Sequence, residues 1–401
     1  MPVGESKGSL CSTDLPRKVS FVLHKFDRGG SLRVAAYLAR GFADQGIDVE
    51  LVMVTDQGEV DQIIADIAGA KVPIRYLGSW SGPRPLDLIR GLPRLARHLR
   101  SRTPDVIIAG ANNVALASAA ARWMAGLNDS RLFLKTTNPI ASSRHTGLVK
   151  WFRRWTYRRV FSEASGVWTL SRSENEEMRA AFPEFTDLFK DVFNPYVTDA
   201  MLGNESEPGQ GEASPFILSV ARLTAQKRLE RLVEAFALVR DKSVMLKILG
   251  EGEQRSQLAE LIDRLGLEGR VIMPGYVANV ADAYASARML VLTSDYEGLP
   301  AVVLEAMAAN CPVLSTDCFP AAREIMDAAE GCEIIEALDA PTLAAMIDAH
   351  LTMPRPTQLR KIAQRYSIEN GVASHLEALR ASTSKGTVRG DRHKRPLGGE
   401  S

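Results

Sequence analysis

No stretch of eighteen consecutive apolar residues occurs in this 401-residue chain, so no part of it is built to cross a bilayer as a helix. Residues 1–17 lack the continuous apolar core of a secretory signal. Cysteine is scarce. Cys11, Cys311, Cys318 and Cys332 form neither a CxxC nor a paired zinc spacing, which argues against disulfide frameworks and zinc modules. A cytoplasmic location is the expectation. There is no Gly-x-Gly-x-x-Gly, which counts against a dinucleotide cofactor, and no carboxylate cluster suggests a metal. Neither a solenoid-period repeat nor an RNA- or DNA-binding motif occurs, so nucleic acid is not an expected partner.

What is present reads as a soluble α/β protein too long for one ordinary core, so two domains are expected. The net charge of +1 hides an uneven distribution. Residues 67–160 carry 17 Lys and Arg against 3 Asp and Glu, a surface suited to anionic membranes or lipid-linked pyrophosphates, or simply a solvated basic face. Residues 199–214 are polar and Gly-rich, the composition of a linker, while 1–17 and 381–401 read as disordered. In the first half, strands at 19–23, 49–54, 106–109, 131–134 and 166–170 alternate with helices at 31–45, 86–102, 112–126 and 148–163. In the second, strands at 216–220, 245–249, 271–273, 289–292 and 312–314 alternate with helices starting near 228, 254, 280, 300 and 320. The pattern predicts two Rossmann-like, doubly wound parallel sheets, over 18–198 and 215–356, with ligand crevices at the carboxyl ends of their strands.

The most informative segment is 291–312. An apolar strand runs into a polar turn, and Gly298-Leu299-Pro300 then opens an apolar helix with Pro300 expected as its first residue. The unpartnered N–H groups of that first turn form a phosphate cradle. Glu297 lies before it, and Glu305 eight positions later sits among Leu304, Ala306 and Met307, where an unpaired charge would be expensive. A phosphate flanked by two polyols, as in a sugar nucleotide, suits this arrangement. Arg222 directly follows the strand 216–220 and Lys227 opens the next helical region, so both cations can reach a diphosphate at the strand end.

Glu297-x7-Glu305 with Gly298-Leu299-Pro300 between resembles the signature of the family 4 retaining glycosyltransferases. Companions stand in the family's order: Gly29-Gly30 in the first βα turn, Arg222 and Lys227, Leu249-Gly250-Glu251-Gly252, and Pro274-Gly275-Tyr276-Val277. The resemblance spans residues 18–380 and implies the GT-B architecture, two facing domains with a cleft between them. It implies that 357–380 cross back to the first domain. It further implies that Glu305 holds the ribose, that Glu297 lies near the donor sugar, and that Gly250, Glu251, Tyr276 and Val277 line the nucleotide. Gly29 and Gly30 then belong to the acceptor side of the diphosphate. Many relatives carry a histidine after the strand matching 131–134. This chain has Asn138 there, a hydrogen-bonding group but no base, with His145 seven positions on and His24 at the end of the first strand.

Residues 148–161 interleave Trp151, Phe152, Trp155 and Tyr157 with Lys150, Arg153, Arg154, Arg158 and Arg159. That mixture suits a membrane interface or an ordinary helix burying its aromatics. The stretch 314–325 resembles relatives that build polysaccharides or lipid-linked oligosaccharides, apart from Ala321 and Ala322 where glycine is usual. The sequence therefore predicts a metal-independent transfer of a hexose-type sugar from a nucleotide diphosphate to a glycan or lipid-linked acceptor, peripheral on the inner face of the cytoplasmic membrane. A catalytically silent nucleotide-sugar binder is the alternative.

Overall fold

The computed structural model describes residues 15–24, 30–55, 62–78, 84–141, 147–203 and 215–383. Gly29, His145, most of the expected linker and nearly all of both expected tails lie outside those residues. Seven strands form the first sheet: β1 (Lys18–Leu23), β2 (Asp48–Met53), β3 (Ile74–Tyr76), β4 (Val106–Ala109), β5 (Arg131–Lys135), β6 (Gly166–Thr169) and β7 (Phe189–Asp191). Six form the second: β8 (Phe216–Val220), β9 (Met245–Leu249), β10 (Val271–Gly275), β11 (Met289–Leu292), β12 (Val313–Thr316) and β13 (Glu333–Ile335). Every neighbouring pair is parallel, in the orders β3-β2-β1-β4-β5-β6-β7 and β10-β9-β8-β11-β12-β13.

The central strands read as continuous apolar runs because helices cover both faces of each sheet. All four residues of β4 and of β11 are buried. Chain order reverses between β1 and β4 in the first sheet, and between β8 and β11 in the second. At such a reversal the adjoining helices leave to opposite faces, which opens a crevice at the strands' carboxyl ends. Gly30, Arg222 and the Glu297 turn all follow strands that border these two crevices.

The chain passes between the domains twice. After β7, the N–H groups of Tyr196 and Val197 both donate to the carbonyl of Tyr366 at 3.0 Å. The last helix, Ile368–Thr383, then returns to the first domain and packs along the helix Gly30–Asp44. Gly41 permits this approach, since a Cβ there would sit 2.3 Å from a Val372 methyl. Arg131 fixes the end of the returning helix by donating to the Leu379 carbonyl at 3.1 Å.

The structure departs from the sequence reading at the edges. It adds β3, β7 and β13, three residues each and all at sheet edges, where partial exposure removes the apolar run that betrays a central strand. It adds the helices Gln62–Ala68 and Arg172–Ala181, the second capped by Ser171, whose Oγ accepts from the Glu174 N–H at 3.1 Å. The expected helix at 112–126 opens as a 3₁₀ turn, Asn112–Val114, because the Asn112 side chain is engaged with the loop after β5. Pro300 is the cap of the helix Ala301–Ala308 rather than its first residue, its ψ of 113° lying in the extended region.

Two glycines allow a paired test. Gly250 has φ +141°, and a Cβ there would meet the Ala221 carbonyl oxygen at 1.9 Å, whereas Gly266 (φ +64°) faces open space. Gly250→Ala is expected to destabilise the second domain by about 3 kcal/mol, and Gly266→Ala by about 1 kcal/mol. Equal losses in denaturant melts would show that the Gly250 loop accepts an added carbon without strain.

Candidate active site

The second crevice is assembled by stitching two loops together. Strand β8 leads to Arg222, which is exposed, and then to the 3₁₀ turn Ala225–Lys227. Strand β11 leads into 293–300. The Thr293 hydroxyl lies 3.1 Å from the carbonyls of both Lys227 and Arg228, the Gln226 amide donates to the Tyr296 carbonyl at 2.6 Å, and Arg231 pairs with Asp295 at 3.0 Å. These ties bring the Lys227 ammonium onto Glu297 Oε1, to which the Ser294 hydroxyl also donates at 2.7 Å. Glu297 is only 9% exposed, and its own N–H donates to the Cys318 carbonyl at 2.6 Å. Lys227 is thus anchored on a carboxylate, while the Arg222 guanidinium has no hydrogen-bonding partner among the described residues.

Beside this crevice, 249–251 runs along 221–223. The Ala221 N–H donates to the Leu249 carbonyl at 3.0 Å, and the Leu223 N–H to that of Glu251 at 2.9 Å. Gly250 donates to the Gly275 carbonyl at 2.8 Å, so the two glycine loops adjoin, with Tyr276 exposed and Val277 half-buried at their edge. Glu251 is exposed and pairs with Arg255 at 2.9 Å.

Glu305 lies one domain boundary away from solvent. It is 3% exposed, and each carboxylate oxygen has a donor: Arg33 Nη2 on Oε1 at 2.9 Å and the Tyr284 hydroxyl on Oε2 at 3.0 Å. Burial pushes the Tyr284 hydroxyl's pKa well up, and the negative charge of Glu305 adds to that. Arg33 belongs to the helix Gly30–Asp44 of the first domain.

Across the cleft, the loop after β5 meets the Glu297 turn directly. A Cβ on Gly298 would sit 2.1 Å from the Thr137 carbonyl oxygen and 3.3 Å from Leu170 Cδ1, so only glycine allows the two backbones this close. Asn138 is the next residue, its side chain exposed and its carbonyl accepting from Asn112 at 2.8 Å. Gly30 opens its helix with no atom within 4 Å of where a Cβ would be. His24 is buried instead, its Nε2 3.9 Å from Asp87. Among the described residues no group of three or more His, Cys, Asp and Glu side chains is placed to hold a metal.

Several participants escape sequence reading. Tyr196 donates to the Leu299 carbonyl at 3.0 Å and so holds the turn between the two glutamates. Asn194 donates to Tyr196 at 2.6 Å, and Lys135 donates to Asn194. Lys135 is wholly buried, and burial draws its pKa down to about 7. Glu174, which accepts from Thr136 and from the Leu170 N–H, is pushed up to about 7 by the same cause. A lysine ending an apolar strand was the one available signal. A cavity of about 480 Å³ adjoins Leu170 on the hinge side of the cleft, where the Ser173 hydroxyl reaches across to Glu324 at 2.8 Å.

Comparisons with known proteins bear on both domains. A family model described as glycosyl transferases group 1 matches residues 204–369, and a glycosyl transferase 4-like domain matches 29–188. An uncharacterized glycosyltransferase of Methanocaldococcus jannaschii is 26% identical over 67% of this chain and 68% of its own length. The poly(glycerol-phosphate) alpha-glucosyltransferase of Bacillus subtilis is 27% identical over 60% of this chain, though over only 37% of its own length. Among solved structures, Anabaena HepE in complex with UDP-glucose superposes with a TM-score of 0.71 at 20% identity, covering 91% of this chain and 99% of that one. WaaG, a glycosyltransferase involved in lipopolysaccharide biosynthesis, gives 0.68 at 18% identity, covering 91% and 99%. One family model lies on each domain and the sheets match those of GT-B structures, so this chain is a glycosyltransferase of the GT-B type.

Proposed function

We propose that the enzyme transfers a hexose-type sugar, with retention of anomeric configuration, from a nucleotide diphosphate to a hydroxyl of a glycan or lipid-linked acceptor. The observation that carries this reading is the meeting of Glu297-Gly298 with Thr137-Asn138, which sets a buried carboxylate and an exposed amide at the same cleft contact. In this reading the diphosphate lies by Arg222, between the open start of the helix Gly30–Asp44 and the first-turn N–H groups of Ala301–Ala308. Lys227 adds positive charge while held on Glu297. Gly250, Glu251, Tyr276 and Val277 border the nucleotide, and Glu305 accepts from the ribose hydroxyls. Glu297 faces the donor sugar and steadies the cationic anomeric centre.

The bond from the anomeric carbon to the diphosphate breaks, and a new bond from that carbon to the acceptor oxygen forms on the same face. The acceptor proton passes to the departing phosphate oxygen, so no protein base is required, and Asn138 serves to orient the acceptor by hydrogen bonding. Relatives support a glycan or lipid-linked acceptor. One from Campylobacter jejuni, 36% identical over 27% of this chain, is named as an N-acetylgalactosaminyltransferase acting on a diphospho-undecaprenol saccharide.

A basic, aromatic surface supports a peripheral place on an anionic membrane. The helix Gly147–Glu163 leaves Trp151 64%, Phe152 58% and Trp155 46% exposed, beside Trp123 on the adjoining helix Ala115–Ala125 at 75%. Of the hydrophobic side chains in Gly147–Glu163, the core takes only Val160 and Phe161 fully. Amphipathic rings with Lys150 and Arg153 nearby suit the headgroup region.

Three outcomes test the reading. Glu297→Gln is expected to cut nucleoside-diphosphate release from a panel of sugar nucleotides roughly 100-fold, with donor binding retained in calorimetry and the wild-type product keeping the donor's anomeric configuration by NMR. Undiminished release would remove Glu297 from the chemistry. Gly298→Ala must push the Thr137 carbonyl away and misplace the facing loops, costing on the order of 100-fold in turnover with unchanged circular dichroism. Trp151→Ser combined with Trp155→Ser is expected to weaken sedimentation with phosphatidylglycerol vesicles roughly tenfold, leaving donor turnover in solution intact.

A further inference from the structure

Arg33 and Glu305 are 272 residues apart and belong to different domains, yet they form a 2.9 Å ion pair. Arg33 stands near the start of the helix Gly30–Asp44, four residues before Tyr37, so the two share a face. Burial works against its charge, but Glu305 and Tyr37 outweigh that and hold its pKa above the usual value. The carboxylate it meets is almost wholly buried and is braced on its other oxygen by Tyr284. Each carboxylate oxygen accepts two hydrogen bonds and has one donor among the described residues, leaving one acceptor position per oxygen among them. Two acceptor positions on a carboxylate that cannot rotate match the two hydroxyls of a ribose. With the first domain swung away, Glu305 would lose the Arg33 donor and keep the Tyr284 hydroxyl, leaving its carboxylate free to turn.

We propose that Arg33 is a positioning residue for donor recognition: it locks Glu305 from the opposite domain, so that a nucleotide's ribose diol is held at full strength only with the domains closed. The inference rests on the reading above that Glu305 takes the ribose. Neither family model description nor any sequence spacing points to Arg33, whose role is visible only from the fold.

The test is calorimetric titration of the full chain with UDP, GDP and ADP, each against its 2′-deoxy form. The wild type is expected to prefer one ribonucleotide over its deoxy form by about tenfold, the loss of one hydrogen bond to a charged group. Arg33→Met should bind the ribonucleotide about tenfold more weakly and the deoxy form almost unchanged, so that discrimination disappears. Arg33→Lys, which keeps the charge but not the fork, should restore part of it. A variant that merely loosened the fold would weaken both ligands alike, and full discrimination in Arg33→Met would overturn the proposal. If the wild type itself fails to discriminate, or if Glu305→Gln leaves discrimination intact, the assignment of Glu305 to the ribose falls first.

Discussion

Two carboxylates eight residues apart are buried, one before and one within the same apolar helix, and the cleft is arranged around neutralising them. An ionised carboxylate taken out of water costs several kcal/mol unless it is paired and hydrogen-bonded. For Glu297 the compensation comes from within the second domain, through Lys227 and Ser294. Lys227 can arrive only if the turn after β8 is pinned to the loop after β11, which explains the dense ties among Gln226, Arg231, Thr293 and Asp295. For Glu305 it comes from Tyr284 and from Arg33 of the other domain. Apolar burial places the helix, but charge compensation places the loops that surround it.

Behind the cleft runs a second polar system. Donated hydrogen bonds pass from Lys135 to Asn194, from Asn194 to Tyr196, and from Tyr196 to the Leu299 carbonyl. Lys135 also faces Nε2 of His375 at 3.4 Å, on the helix that returns from the second domain. Nδ1 of His375 bonds the Gly371 carbonyl at 2.7 Å and its ring stands edge-on to Trp168, while burial drives its pKa well below the ordinary value. A neutral imidazole with a free Nε2 lone pair is the form that can accept from Lys135. The turn between the two glutamates therefore hangs from a chain rooted in the crossing segments, so hinge geometry and site geometry are set by one network.

The sequence made the central strands, the two sheets and the Glu297–Glu305 segment legible because each writes a local pattern: an apolar run of strand length, or a polar turn opening an apolar helix. The edge strands β3, β7 and β13 leave no such mark, since a three-residue strand with one open side needs no apolar run. Lys227 was readable as a cation near a strand end, but its pairing with Glu297 depends on two loops 70 residues apart meeting. The exposed aromatics at 151–155 could be read as core or as interface, and only the packing of their helix decided for exposure. Arg33, Tyr284, Asn194 and Tyr196 carry no local signal, because each acts on a partner supplied by tertiary structure.

The same logic explains how the domains are set relative to each other at the cleft. The meeting of Gly298 with Thr137 is steric: it fixes how near the loops come, and it tolerates no added carbon. The Arg33–Glu305 pair is electrostatic and directional, favouring one alignment of the first helix over the second domain. The Ser173–Glu324 bond on the hinge side is exposed and replaceable by water. A hard stop, a directional part-buried pair and a weak outer contact make a closed state that is specific without being permanent. A glycosyltransferase that must admit its donor, exclude water and then release its products needs that combination.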